Sequence, residues 1–138
     1  MSEIVLIDTS VLMNVLDIPY FNQDRQDVLG EFQRLIDTSA HIFLPMAAIL
    51  EAGNHIANLA DGSLRRKHAE AYAFHIRSAL QGDAPWRPIQ FPDHAAVMSW
   101  LEEFPDAAMR GLGIGDLSIS KDWRMLCERH PLSRVRVW

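Results

Sequence analysis

The chain has 138 residues, of which 49% are apolar and 22% charged, an ordinary globular balance that predicts a single domain over residues 1–138. This composition excludes a disordered chain, a collagen-like repeat and a disulfide scaffold, and no apolar run approaches the roughly 18 residues that a membrane span needs. The formal net charge of −5 argues against a general nucleic-acid coat protein.

The first half of the chain predicts two strands, each followed by helices. Glu3–Asp8 is a short apolar run bounded by polar residues, which is typical of a strand buried on both faces of a parallel sheet. Thr9 and Ser10 follow it as candidate helix caps. The other predicted elements of this half are helices over Val11–Leu16, Asp24–Ile36 and Pro45 to about Ala60, and a strand over His41–Leu44.

The second half continues the alternation of strands and helices. Its predicted elements are a helix over Leu64–Leu80, a strand over Ile89–Phe91, a helix from Pro92 and Asp93 to Phe104, a helix from Asp116 to about His130, and a strand over Arg134–Trp138. Strands that alternate with helices predict an α/β fold. We therefore expect a three-layer α/β/α sandwich with a short central parallel sheet, since right-handed crossovers place helices on both faces.

Three acids are predicted to lie at the same edge of this sheet. Asp8 ends the first strand, Glu51 lies in the first turns of the helix after the second strand, and Asp116 follows a glycine-rich loop. Sites of open parallel sheets collect at the carboxyl ends of the strands, which is where these acids fall. Each acid also has a purely structural explanation, because Asp8 and Asp116 can be helix N-caps and Glu51 an exposed helix acid.

A metal ion would explain why three carboxylates are gathered at one edge. Like charges repel unless a cation neutralises them, and hard divalent cations prefer oxygen ligands. A metal held in this way activates water and stabilises the charge that develops on a phosphoryl group. The pattern therefore indicates a site for a hard divalent cation that can act on a phosphoryl group.

Three short motifs resemble those of the PIN domain, the fold of a large family of metal-dependent ribonucleases. The first motif is VLIDTSVL at Val5–Leu12, the second is PMAAILEA at Pro45–Ala52, and the third is GIGDLSI at Gly113–Ile119. The motifs occur in the family's order, and the match extends over essentially the whole chain. The resemblance implies a PIN-like endoribonuclease that uses Mg²⁺ or Mn²⁺.

The resemblance also assigns roles to individual residues. Asp8, Glu51 and Asp116 would be metal ligands or would organise a metal-bound water. Ser10 matches a hydroxyl position that supports the site, although it can also be a plain N-cap. Asn14, one turn further on, either lines the cleft or lies on the surface. Many small bacterial PIN domains are toxins of toxin–antitoxin pairs, so the resemblance implies an RNA substrate, a small antitoxin partner and a homodimer.

One position departs from the family's pattern. PIN nucleases usually present a fourth acid just after the last strand, which here is Val135–Trp138. Three explanations stay open: the fourth acid is dispensable, Asp122 reaches the rim of the site, or the acid follows Trp138, which is the explanation that we favour. Asp122 lies six residues after Asp116, about 240° around a helix, so we expect the two side chains to face different ways.

Basic residues are concentrated in two segments. Arg110 to Trp138 contains six basic and three acidic residues, a net charge of +3, and a second cluster comprises Arg65, Arg66 and Lys67. We predict that Arg65, Arg66, Lys67 and Arg110 hold the RNA backbone, with a solvated helix face as the alternative.

Other functions remain open at this stage. A PIN-like RNA-binding or protein-interaction module without catalysis is the main alternative, because the fourth acid is missing. A phosphatase-like hydrolase with Asp8 as nucleophile is weaker, since it would want a second Asp where Ser10 stands. Asn54 and His55 share a helix face with Glu51 and are predicted to line the cleft or to satisfy local hydrogen bonds.

The expected compartment follows from the cysteine count and the N-terminal segment. Cys127, the single cysteine, cannot form an internal disulfide. The N-terminal segment lacks the basic start and small-residue cleavage site of a signal peptide. We therefore expect a cytoplasmic protein.

Overall fold

A computed structural model describes residues 2–138, and Met1, the first residue of the predicted domain, lies outside this range. Within the described residues the elements are β1 Glu3–Leu6, α1 Thr9–Val15, α2 Arg25–Asp37, β2 His41–Leu44, α3 Met46–Ala57, α4 Gly62–Leu80, β3 Trp86–Pro88, α5 His94–Met109, α6 Ile114–Arg129 and β4 Arg134–Val137. No helix among them is long and apolar enough to cross a membrane.

The four strands form one parallel sheet in the order β3–β2–β1–β4, which confirms the predicted α/β class. β1 occupies the interior of the sheet, where Val5 pairs with Ile42 of β2 on one side and Arg136 of β4 on the other. Strands joined in parallel need crossovers, and helices supply each of them. The carboxyl ends of all four strands therefore lie at one edge of the sheet.

The side chains of β1 alternate between two apolar layers, as the period of a strand requires. Val5 and Ile7 pack in a cluster with buried residues of α1, α2, α3 and α4. Ile4 and Leu6 point to the opposite face and pack in a second cluster with Leu126 of α6. Helices thus cover both faces of the sheet, in agreement with a three-layer α/β/α sandwich.

The third strand lies three residues earlier than the sequence predicts. β3 is Trp86–Pro88, and Ile89–Phe91, the predicted strand, follows it. β3 is an edge strand, where an exposed Arg87 and a proline without an N–H group are tolerated, so its pattern is not apolar. Ile89 is nevertheless buried, and its N–H group donates a hydrogen bond to the carbonyl of Leu44 at 3.1 Å.

Two helix boundaries also differ from the prediction. α5 does not end at Phe104 but passes through Pro105 to Met109. Pro105 lacks the N–H group that would bond to the carbonyl of Leu101, so the helix continues without that bond. α6 begins at Ile114, two residues before its predicted start at Asp116, so Asp116 lies inside the first turn and is not the N-cap, which is Gly113.

The end of β4 lies directly beside the start of the first helix. The N–H group of Trp138 donates to the carbonyl of Leu6 at 2.8 Å, and the N–H group of Asp8 donates to the carbonyl of Trp138 at 2.8 Å. This pairing continues the β1–β4 ladder by one step on each strand. It fixes the backbone of Asp8 at the carboxyl edge of the sheet.

Candidate acidic site

The three predicted acids line a single cavity of about 220 Å³ at the carboxyl edge of the sheet. We call it the acidic cavity, and its walls are formed by Asp8, Thr9, Ser10, Met13, Phe21, Glu51, His55 and Asp116. These residues come from four places in the chain: the start of α1, the loop before α2, the helix α3 and the first turn of α6. Parallel strand order brings them together, as the sequence predicts.

Asp8 combines a structural role with its position in the acidic cavity. It is the N-cap of α1, and its Oδ1 accepts a hydrogen bond from the N–H group of Thr9 at 2.7 Å. The side chain is half-buried and still contributes to the cavity wall. The capping role and a role in the cavity are therefore compatible.

Glu51 is held by two neighbours in the acidic cavity. Its Oε2 accepts a hydrogen bond from the hydroxyl of Thr9 at 2.9 Å, and its Oε1 lies 3.5 Å from Nε2 of His55. The ring of His55 in turn packs against Phe21, with the ring centroids 4.7 Å apart. The carboxylate of Glu51 is consequently positioned between α1 and its own helix, although the side chain is 53% exposed.

Thr9 and Phe21 are site residues that the sequence did not reveal as such. The bond from Thr9 to Glu51 depends on how α1 packs on α3, which no local pattern reports. Phe21 comes from a loop and reaches the cavity through its contact with His55. His55 itself fits the prediction that it lines the cleft, whereas Asn54 does not lie among the residues of the cavity wall.

Asp116 reaches the acidic cavity from the first turn of α6. Exposed N–H groups at a helix N-terminus favour negative charge, so this position suits a carboxylate. α6 lies against α3 at this point, since a Cβ atom on the preceding Gly115 would make an ordinary van der Waals contact of 3.7 Å with Cβ of Ala47. The side chain of Asp116 is exposed at the mouth of the cavity.

The two predicted supporting residues lie in different environments. Ser10 lines the acidic cavity and is exposed. Asn14 is buried and does not line it, which differs from both predicted positions. Its Nδ2 donates to the carbonyl of Ser10 at 2.9 Å, and its Oδ1 accepts from the N–H group of Asp24 at 3.0 Å. Asn14 therefore ties α1 to the start of α2.

The predicted basic residues lie outside the acidic cavity. Arg65 and Arg66 line a separate cavity of about 580 Å³ between α3 and α4. Arg65 donates to the carbonyl of Leu59 at 2.6 Å, and Arg66 forms an ion pair with Glu70 at 3.0 Å. Lys67 and Arg110 are exposed, the latter at the end of α5. Contact of these four residues with RNA stays a prediction.

The acidic cavity fits a hydrated divalent cation better than one caged directly by protein. Within residues 2–138, no group of three or more His, Cys, Asp or Glu side chains is close enough to hold a metal ion. Mg²⁺, however, usually keeps several waters and binds one or two carboxylates directly. Three carboxylates around a cavity of about 220 Å³ provide the oxygen donors and the space for such an ion.

Asp122 lies outside the acidic cavity. It lines another cavity, between α5 and α6, that contains none of the three acids. Its placement agrees with the helical geometry, which directs Asp116 and Asp122 to different sides of α6. The explanation in which Asp122 completes the acidic site is therefore wrong.

Comparisons of the chain with models of protein families, with curated proteins and with solved structures gave no match.

Proposed function

We propose that the chain is a PIN-like endoribonuclease that hydrolyses RNA phosphodiester bonds with Mg²⁺ or Mn²⁺. The observation that carries this proposal is the convergence of Asp8, Glu51 and Asp116 on one cavity, although the first and the last are 108 positions apart in the sequence. These are the acids that the three PIN-like motifs contain. Their position at the carboxyl edge of a parallel sheet is also where such folds bind ligands.

Each residue of the acidic cavity has a role in this proposal. A bound divalent cation would supply an activated water and would stabilise charge on the phosphoryl group. Asp8 and Asp116 contribute carboxylate oxygens from two helix starts. The hydroxyl of Thr9 orients the side chain of Glu51 by donating to Oε2. The other carboxylate oxygen of Glu51, Oε1, then faces His55.

The cellular setting of this proposal follows from the resemblance and the composition. We propose that the protein acts in the cytoplasm on an RNA substrate. Its length and motifs support the role of a toxin in a toxin–antitoxin pair, with a small antitoxin as partner and a homodimer as the assembly.

A second candidate function is a PIN-like module that binds RNA or protein without catalysis. The observation that favours it is the spacing of the acids, because no three of them in residues 2–138 are close enough to hold a metal ion directly. A module of this kind would bind RNA equally well with and without a divalent cation. It would leave RNA intact under every condition.

An RNA cleavage assay separates the two candidates. The purified chain is incubated with a circular structured RNA in Mg²⁺, in Mn²⁺ or in chelator, beside Asp8→Asn and a control, Asp106→Asn, whose carboxylate lies on α5 outside the cavity. The nuclease proposal predicts metal-dependent linear products from the wild type and the control, and at least about a 100-fold lower rate from Asp8→Asn. Equal cleavage by Asp8→Asn, or none by the wild type, contradicts it.

A further inference from the structure

The cavity between α5 and α6 is a second enclosed surface, separate from the acidic cavity. We call it the α5–α6 cavity; it has a volume of about 400 Å³ and shares no wall residue with the acidic cavity. It opens beside the segment that follows β3, at the same edge of the sheet. Its volume lies in the range of pockets that hold small ligands.

The carboxylate of Asp122 lies in the wall of this cavity without a partner of its own in the described part of the chain. Among residues 2–138 it has no hydrogen-bond or ion-pair partner. The side chain is partly buried, and burial raises the pKa of Asp122 to about 6. Near pH 7.5 it is therefore mostly ionised, and its oxygens can accept hydrogen bonds from a ligand in the cavity.

The other charged groups around Asp122 are largely engaged elsewhere. The ammonium of Lys121 contacts Ser99 and Glu103, and Asp93 caps α5 by accepting from the N–H group of Ala96 at 2.8 Å. Arg129, exposed at the end of α6, forms no ion pair within the described residues. A ligand of this cavity would therefore meet Asp122 and Arg129 as charged groups without a partner in residues 2–138, beside Asp93, whose capping carboxylate keeps its negative charge.

Two aromatic side chains complete the wall. Phe91 is 45% exposed, and Trp100 is partly exposed from the first turns of α5. Aromatic faces of this kind bind planar rings by stacking, which is worth about 1–3 kcal/mol per nucleobase. A stacking surface, an acceptor and a cation are the three groups that recognise one unpaired nucleotide.

We propose that the α5–α6 cavity binds a single unpaired guanine nucleotide. The base would stack on Phe91 and Trp100, its N1–H and N2–H groups would donate to Asp122, and a phosphate would lie near Arg129. Guanine is the base that presents two adjacent donors, which match the two oxygens of a carboxylate. Adenine, cytosine and uracil each place an acceptor next to their donor, and that acceptor would face the negative charge.

The role of this cavity as an RNA subsite rests on the proposed ribonuclease function. α6 carries Asp116 at the acidic cavity and Asp122 at the α5–α6 cavity, six residues apart, which corresponds to a rise of about 9 Å. A short single-stranded RNA can span this distance. A guanine bound at Asp122 would then select which phosphodiester reaches the acidic cavity.

Calorimetric titration with mononucleotides tests the cavity without any cleavage. GMP, AMP and CMP are titrated into the full chain at pH 7.5 in chelator, so that the outcome does not depend on nuclease activity. We expect GMP to bind at least about 10-fold more tightly than AMP or CMP, since one mismatched polar edge costs about 1–3 kcal/mol.

Asp122→Asn is the diagnostic variant, because its amide presents one acceptor and one donor. That pair complements the N6–H and N1 positions of adenine, so we expect GMP binding to weaken about 10-fold and AMP binding to strengthen. A merely structural role of Asp122 would not exchange the preferred base. Glu128→Gln, an exposed neighbour on α6 outside the cavity, is the control and should bind GMP like the wild type.

Three results would overturn the proposal: no saturable binding of GMP, equal binding of GMP and AMP, or equal losses for both nucleotides in Asp122→Asn. Failure of RNA cleavage with intact GMP binding would refute the nuclease and not the cavity. Metal-dependent RNA cleavage without a preference for GMP would refute the guanine site and leave the nuclease proposal intact.

Discussion

Thr9 is the residue that connects the fold most directly to the candidate chemistry. Its backbone N–H group donates to Asp8 and its hydroxyl donates to Glu51, so one residue contacts two of the three acids. Thr9 is buried, and a valine would preserve its shape while removing the hydroxyl. Substitution therefore isolates the contribution of one hydrogen bond to the position of Glu51.

We expect Thr9→Val to lower the rate of RNA cleavage by about 10-fold and the free energy of unfolding by about 1 kcal/mol, since a hydrogen bond to a charged group is lost. Single-turnover cleavage and urea unfolding measure the two effects. Thr9→Ser keeps the hydroxyl and should recover most of the rate. A wild-type rate in Thr9→Val would show that Glu51 needs no such positioning.

Asp122 has a second consequence at the residue scale, for stability. Burial raises the pKa of Asp122 to about 6, above its ordinary value near 4. Between about pH 4 and pH 6 the carboxyl is therefore protonated in the folded state and ionised in the unfolded state. The stability of the wild type should fall as the pH rises from about 4 to 6. A partly buried, unpaired carboxylate is thus maintained at a cost, as is common at functional sites.

We expect Asp122→Asn to raise the free energy of unfolding by about 1 kcal/mol at pH 7.5, after allowance for solvent screening of a partly exposed group. The gain should shrink towards zero at pH 4, where the wild-type carboxyl is protonated in the fold. Urea unfolding at the two pH values measures the difference. An equal gain in the free energy of unfolding at pH 4 and pH 7.5 would mean that the ionisation of Asp122 does not cause the gain.

At the scale of elements, an ion-pair network joins β1, β4 and α2. Arg136 donates to Glu3 at 2.9 Å and to Glu31 at 2.7 Å, and Arg34 lies 2.6 Å from Glu31 and 3.4 Å from Glu3. Hydrogen bonds from Arg136 and Arg34 hold the pKa of Glu3 and that of Glu31, respectively, below their usual range. The network stabilises the position of β4, and Trp138, which follows β4 directly, accepts a hydrogen bond from the backbone N–H group of Asp8.

We expect Arg136→Met to lower the free energy of unfolding by about 1–2 kcal/mol at pH 7, because two partly buried carboxylates lose a charged partner. A carboxylate whose pKa is lowered in the fold stabilises the folded state at any pH above its unfolded pKa. This stabilisation is lost as the pH falls towards the lowered pKa of the folded state. The difference between wild type and variant should therefore shrink below about pH 4. Thermal unfolding across this range measures it, and a difference that does not depend on pH would contradict the role of the network.

Elements with a strong local pattern were predictable, and those stabilised by context were not. β1 is apolar from Ile4 to Leu6, because both of its faces are buried there, and the strand predicted over Glu3–Asp8 is confirmed with an earlier end at Leu6. β3 is an edge strand whose Arg87 is exposed, so its pattern carries little signal, and the apolar Phe91 nearby lines the α5–α6 cavity instead. Pro105 predicts the end of a helix, but α5 continues through it to Met109, because tertiary context can override a local propensity.

At the scale of the whole molecule, the parallel sheet determines where the chemistry can lie. The order β3–β2–β1–β4 places the carboxyl end of β1 between those of β2 and β4. Asp8 follows β1, and Glu51 lies on the helix that follows β2. The convergence of the acids was therefore predictable from strand order. Their partners Thr9, Phe21 and His55 depend on helix packing, which the sequence pattern does not specify.

The cleavage rate of a double variant tests most directly whether the acids act as one RNA-cleaving site. Single-turnover cleavage of circular RNA in Mn²⁺ is measured for Asp8→Asn, Asp116→Asn and the chain with both changes. Residues that act as a unit are non-additive, so we predict that each single change lowers the rate about 100-fold or more and that the pair loses little beyond that. Losses that multiply in the double variant, or single variants that cleave at the wild-type rate, would contradict the account.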